Sequence, residues 1–224
     1  MQQRSEQWHL IRKAKFTASD IVNICGDGKT FETAVYSKAY EAILPESQYL
    51  EMCLNARSSA AMQWGNDWED TARQEYEQRT GAEVTQVGFI EYTKDSGGSP
   101  DGIIESLNGQ IEIKCPYEGT NHIKFFRIKK AEELLDLTKD SKKYYYQMQA
   151  NILFNKSEWC DFISFDPRCN DILRMRIVRC YPNDKILKII DESIPKATEF
   201  KRQIIDDIIS NSSNVITEEK ELRI

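Results

Sequence analysis

Histidine is almost missing from this sequence: His9 and His122 are the only two in 224 residues. That leaves little room for a zinc site built on imidazole or for a nuclease of the histidine–metal kind. Six cysteines, Cys25, Cys53, Cys115, Cys160, Cys169 and Cys180, include no Cys-x-x-Cys pair. Such scatter points to reduced thiols in or near a core rather than to a thiolate metal centre. A metal, if one is held, is held by oxygen, which selects a hard cation such as Mg²⁺. No apolar run approaches the ~20 residues that cross a bilayer. Residues Met1 to Glu6 carry neither the apolar stretch nor the cleavage site of a signal peptide. A cytoplasmic location without membrane contact is therefore expected. Basic charge is also in deficit, the net charge being −6, which by itself argues mildly against a nucleic-acid partner.

With 40% hydrophobic and 29% charged residues, the chain has the make-up of a globular protein with a real core. One domain over residues 1–224 is expected, with 211–224 a frayed polar tail. Two basic stretches interrupt the acidic background. One is Arg12-Lys13-Ala14-Lys15; the other holds Lys124, Arg127, Lys129, Lys130, Lys139, Lys142 and Lys143. Each reads equally well as a solvated face or as a phosphate-binding surface.

Periodicity divides the chain. Residues 4–25 read as helical, with Thr17-Ala18-Ser19-Asp20 capping a second helix over Ile21-Val22. A helix over 32–44 stops at Pro45. Another runs from Gly65 to Thr80 with Gly81 as its C-terminal cap, and puts Glu69, Arg73 and Tyr76 on one face. Strand alternation follows from Val84 to Tyr92, then a turn at Gly97-Gly98-Ser99-Pro100. Strands over 101–105 and 110–115 flank Asn108-Gly109, a two-residue hairpin signal. Helices over 124–137 and 142–155, strands over 159–165 and 173–181, and a helix over 183–210 broken or kinked at Pro195 complete the reading. This order predicts an α/β fold with a mixed central sheet.

Alternation along 110–115 places Glu112 and Lys114 on one face, with Ile111, Ile113 and Cys115 on the other. Asp101 opens the partner strand, so two carboxylates and a lysine converge at a sheet edge. This grouping suits phosphodiester hydrolysis. Carboxylates bind one or two Mg²⁺, and a neighbouring lysine orients or deprotonates the attacking water and offsets phosphate charge. The alternative is an exposed hairpin with solvated charges.

The ordered motifs resemble the lambda exonuclease (YqaJ-type) family of viral recombinases, within the PD-(D/E)xK nucleases. The matching elements are Trp8-His9-Leu10-Ile11-Arg12 with Thr17-Ala18-Ser19-Asp20, and Trp64-Gly65-Asn66-Asp67-Trp68-Glu69 with Ala72-Arg73. They continue with Ser99-Pro100-Asp101-Gly102, Glu112-Ile113-Lys114-Cys115-Pro116, Tyr146-Gln147-Met148-Gln149 and Asp166-Pro167-Arg168. The resemblance implies a restriction-endonuclease-like core. It implies that Glu69, Asp101, Glu112 and the carbonyl of Ile113 ligate Mg²⁺, with two ions expected and Mn²⁺ as a substitute. It further implies that Lys114 acts on the water, that Gln147 places the water or scissile phosphate, and that Arg12 and Ser19, with Ser99, hold a 5′-terminal phosphate. Gln149 points to another face of the same helix, and Tyr144-Tyr145-Tyr146 reads as either a stacking or a packing run. Trp8 and Trp64 read as core or interface aromatics.

The activity implied is a 5′→3′ exonuclease acting on double-stranded DNA ends. It releases mononucleotides and leaves a 3′ single strand. Implied partners are two further copies, in a homotrimeric ring, and a single-strand annealing protein, all in the host-cell cytoplasm. A restriction-like or junction-resolving endonuclease shares the same catalytic hairpin and stands as the alternative. An inert DNA-binding scaffold is disfavoured by the intact Asp101, Glu112 and Lys114.

Overall fold

The structure, a computed structural model, describes residues 3–221, with side chains described through residue 212. Helices α1 (Glu6–Arg12), α2 (Lys29–Ile43), α3 (Glu46–Leu54) and α4 (Ala60–Thr80) precede most of the strands. A three-stranded sheet follows, made of β1 (Phe16–Thr17), β2 (Ile90–Thr93) and β3 (Ser96–Gly98) in the order β1-β3-β2. A second, mixed sheet is ordered β4 (Gly102–Ile104), β5 (Gly109–Lys114), β6 (Trp159–Phe165) and β7 (Met175–Cys180). Helices α5 (Gly119–Arg127), α6 (Leu134–Leu137), α7 (Ser141–Asn155) and α8 (Asp184–Glu221) cover it and close the chain. The α/β class is as expected, but there are two mixed sheets where one is predicted.

Local chemistry accounts for the boundaries. Ser59 caps α4 by accepting from the Met62 amide at 3.1 Å, so the helix starts five residues before Gly65. Gly81, at φ +70°, ends it as expected. The predicted helix over 4–25 is instead α1, strand β1 and a 3₁₀ segment over Ala18–Asn23. Thr17 does not cap that segment, its hydroxyl being shared with Ser19 and Asp20. Pro45 not only stops α2 but opens α3, which periodicity does not show. The 124–137 helix is interrupted because the Glu133 carboxylate accepts from the Lys129 and Lys130 amides, both at 2.9 Å, and starts a new turn. Helix α8 continues through the exposed Pro195 to Glu221, while residues 222–224, the end of the predicted frayed tail, lie outside the described residues.

Two strand predictions also need correction. Of residues 84–92 only the end is strand; Thr85 makes a single bridge to Ile103. Gly97 and Gly98 lie inside buried β3, and the hairpin turn is Lys94-Asp95. Their lack of a side chain serves close approach, since a Cβ on Gly98 would collide with the side chain of Asn151. At Asn108-Gly109 the reversal is longer than two residues: Glu105–Leu107 form a 3₁₀ turn, Asn108 is left-handed at φ +46°, and Gly109 already pairs with Ile104.

Both faces of the β4–β7 sheet carry apolar packing. Ile111, Ile113, Ile163 and Phe165 pack against Ala72 and Tyr76 of α4. Phe162, Cys160 and Val178 pack against Phe125 of α5 and Tyr145 and Met148 of α7. Among the described residues no helix is long and apolar enough to cross a membrane.

Candidate active site

Strand β4 pairs with β5 only as far as Gly102↔Ile111. Beyond that point Asp101 takes over the open side of β5. Its amide donates to Ile111 O at 3.2 Å, and its Oδ2 accepts from the Ile113 amide at 2.6 Å. Because the N–H and C=O of one strand residue point to the same side, the Ile113 carbonyl also faces this side. The other side of β5 stays paired with β6 through Lys114↔Ser164. The convergence read from alternation is therefore present, and it falls where a short edge strand runs out.

Glu112 is 1% exposed. Its Oε1 accepts from Lys114 Nζ at 2.5 Å, while Oε2 is buried without a hydrogen-bond partner. The Lys114 ammonium also sits 4.9 Å from the Tyr144 ring centroid. Glu69, from α4, joins the same cleft of ≈780 Å³, as do Asp101, Ile113 and Gln147. Both Glu69 oxygens are engaged, Oε1 by Arg73 at 3.1 Å and Oε2 by Arg4 at 2.7 Å. Arg73 donates as well to the Asp101 carbonyl at 3.2 Å, tying α4 to the hairpin that carries Asp101 and Glu112.

The electrostatics follow from three carboxylates sharing a desolvated space with one lysine. Burial, then the charges of Glu112 and Glu69, hold the Asp101 carboxyl well above the usual carboxylate range, against Lys114 and the Ile113 amide. Burial likewise raises Glu112, with Lys114 opposing. For Lys114, burial acts downward, but Glu112 and Asp101 outweigh it and hold the ammonium above its ordinary value. With Glu69 held by Arg4 and Arg73, the two buried carboxylates Asp101 and Glu112 share a single ammonium and are short of positive charge.

A hard dication fits that deficit. The donors are carboxylate and carbonyl oxygens, and Glu112 Oε2 is already desolvated and unpartnered. The thiol of Cys115, pushed up to about 12 by burial and the nearby carboxylates, is no thiolate ligand. Among the described residues, no three such groups converge tightly enough to enclose a cation as they stand.

A second group lies beside the first. Trp8 Nε1 donates to Ser99 Oγ at 3.0 Å, Arg12 Nη1 reaches the same oxygen at 3.5 Å, and the guanidinium stacks 4.0 Å over the Trp8 ring. Burial lowers the Arg12 pKa, with Asp20 pulling the other way, yet no carboxylate among the described residues forms an ion pair with it. A charged, desolvated guanidinium beside a serine hydroxyl is suited to an oxyanion. The Ser19 hydroxyl bonds to Thr17 Oγ1 at 2.9 Å, and no bond joins it to Arg12 or Ser99.

Helix α7 separates its two glutamines. Gln149 is bonded to Cys180 Sγ, Tyr181 O and the Asn183 amide, a clamp on the turn into α8. Gln147 lines the cleft. Of the tyrosine run, Tyr145 and Tyr146 are buried in the core and Tyr144 faces Lys114. Trp64 packs with Trp68 and Tyr117 and under Arg168, whose guanidinium is forked onto Asp166. Arg4 has no signal in the sequence. Arg73 has one, its i+4 spacing from Glu69, but its bond to Asp101 needs the fold.

Fold and site together define a nuclease-like α/β protein of the restriction-endonuclease type, and the chain belongs to the YqaJ-like viral recombinase domain family, whose model matches residues 7–155. Among solved structures it is similar to the alkaline exonuclease LHK-Exo from Laribacter hongkongensis, at 26% identity and TM-score 0.76, covering 94% of this chain and 100% of that one. The complex of LHK-Exo with dAMP gives a TM-score of 0.77 at the same identity and coverage. A phage-related exonuclease from Haemophilus somnus 129PT shares the fold at 20% identity and TM-score 0.66, over 87% and 96% of the two chains. No curated protein sequence matches the chain.

Proposed function

We propose that this protein is a Mg²⁺-dependent DNA exonuclease that degrades one strand of linear double-stranded DNA in the 5′→3′ direction. The product is a 3′ single strand for recombination by annealing. The observation that carries the reading is the juxtaposition of Asp101, Glu112 and Lys114 with the unpartnered Glu112 oxygen, two residues along the chain from the Ser99–Arg12 pair. Family membership and the likeness to an alkaline exonuclease support it.

Glu69, Asp101, Glu112 and the Ile113 carbonyl would hold one or two Mg²⁺, with Mn²⁺ able to replace it. The bound ions supply phosphoryl polarisation and a lowered pKa for the attacking water. Lys114 acts on the attacking water and offsets the charge of the phosphoryl group. Gln147, with no engagement of the Gln149 kind, positions water or the scissile phosphate from α7. Arg12 and Ser19, with Ser99, receive the 5′-terminal phosphate. A homotrimeric ring with DNA inside reconciles the acidic chain with its substrate, because basic residues then line the channel and acids the exterior. A single-strand annealing protein is the expected partner for the exposed 3′ strand.

Linear duplexes labelled at the 5′ or 3′ end, with and without 5′ phosphate, test this directly. Mononucleotides released from the 5′ end in Mg²⁺ or Mn²⁺, and none in EDTA, are expected. Cleavage of a covalently closed, unnicked circle would point to the endonuclease alternative and sink the end-dependent reading. Arg12→Ala is expected to lower the preference for a 5′-phosphorylated end by about tenfold or more, the loss of one charge-assisted hydrogen bond. An unchanged preference removes Arg12 from that role.

A further inference from the structure

Among the described residues four cations line the cleft, and two of them have no part in the chemistry above. Arg4 and Lys114 are paired with Glu69 and Glu112. Lys124, on α5, and Lys139, in the turn before α7, line the same cleft and are exposed. Neither forms an ion pair with a carboxylate among the described residues; Lys124 reaches only the Asn121 amide oxygen, at 3.5 Å. The rest of that basic segment, Arg127, Lys129, Lys130, Lys142 and Lys143, does not line the cleft.

Their position has a direction. Phe125 of α5 packs on Phe162, the register partner of Glu112, so α5 stands over the face that carries Glu112 and Lys114. Ser99, bonded to Arg12, lies two residues before Asp101, which occupies the open edge of β5 instead. A strand with its 5′ phosphate at Arg12 and its scissile phosphate at Lys114 therefore continues towards Lys124 and Lys139. Free ammonium groups beside a surplus of carboxylates also keep the polyanion in a cleft that would otherwise repel it.

We propose that Lys124 and Lys139 together bind the phosphodiester immediately beyond the scissile one. The inference rests on the exonuclease reading for the order of phosphates, but its first test does not need hydrolysis. Binding of a labelled linear duplex is followed by anisotropy in EDTA over a range of salt. For each of Lys124→Gln and Lys139→Gln, the slope of log K against log salt is expected to fall by about 0.7–0.9. That is about a threefold smaller loss of affinity over a fourfold rise in salt. Lys188→Gln, on the exposed face of α8 beside Glu192, should keep the wild-type slope. A double Lys124/Lys139 variant with the wild-type slope, or a Lys188 variant that lowers it equally, overturns the proposal.

In the hydrolysis assay, a neutral methylphosphonate at that single linkage is expected to raise KM about threefold or more for the wild type, with kcat unchanged. The double variant should show no further increase. A full additional increase in the double variant also overturns it. A wild-type protein that degrades no duplex would defeat the exonuclease reading, while the EDTA slopes would still decide whether these lysines hold phosphate.

Discussion

Lys114→Ala and Asp101→Asn are each expected to lower DNA degradation by about 10³-fold, the scale of losing a positioned acid–base or electrostatic group. The two substitutions separate chemistry from folding. The asparagine amide keeps an oxygen for the Ile113 N–H, which Asp101 binds at 2.6 Å, while one charge leaves a crowded carboxylate cluster. Burial and the Glu112 and Glu69 charges already work against ionised Asp101, so Asp101→Asn should leave the thermal midpoint unchanged or raise it. Lys114→Ala acts in the opposite direction on stability, since it leaves Glu112, 1% exposed, without its ammonium partner. Rates on a linear duplex in Mg²⁺ and thermal melts of the same preparations check both. Hydrolysis at the wild-type rate in either variant would remove that residue from the active site.

Asp161→Ala is expected to cost about 2–4 kcal/mol of stability, although Asp161 has no place in any motif of the sequence. Its buried carboxylate accepts from Tyr76 Oη at 2.8 Å and from Arg179 Nε and Nη2 at 2.8 and 2.9 Å. The Arg179 guanidinium in turn lies 3.6 Å over the Trp159 ring. One side chain of β6 thus holds α4 and β7 together, and α4 carries Glu69. The upper end of the range applies to the buried Tyr76 partner; Arg179, 42% exposed on its side chain, is rehydrated when the carboxylate goes. A lowered denaturant midpoint is the expected result. A shift within about 0.5 kcal/mol, typical of surface substitutions, would show that the clamp is dispensable.

The hairpin that carries Asp101, Glu112 and Lys114 is legible because its code is local. A strand alternates with period two whatever surrounds it, so Glu112 and Lys114 part company with the apolar Ile111 and Ile113. Gly81 ends α4 for the same kind of reason, a left-handed cap that glycine adopts without strain. Where tertiary contact overrides local preference, the sequence misleads. Gly97-Gly98 carries the composition of a turn, but its missing side chains admit Asn151 against a buried strand. The 124–137 region has helical composition, yet the Glu133 carboxylate competes for backbone amides and breaks it in two.

By itself, then, the sequence determined the scarcity of imidazole and paired thiols, through its two histidines and scattered cysteines, and the face on which Glu112 and Lys114 stand. It also supplied Glu69 and Gln147 by motif. Only the tertiary structure decided that the pairing of β4 ends at Gly102, opposite Ile111, so that Asp101 completes the edge of β5 and bonds to Ile113. It alone showed Gln149 spent on the turn into α8, tied Glu69 to Arg4 and Arg73, and singled out two lysines of a basic segment. The division has one cause. Alternation, capping and ligand hardness act within a few bonds of a residue, whereas ion pairs, register and cleft walls join residues far apart in the chain, and only packing brings those together.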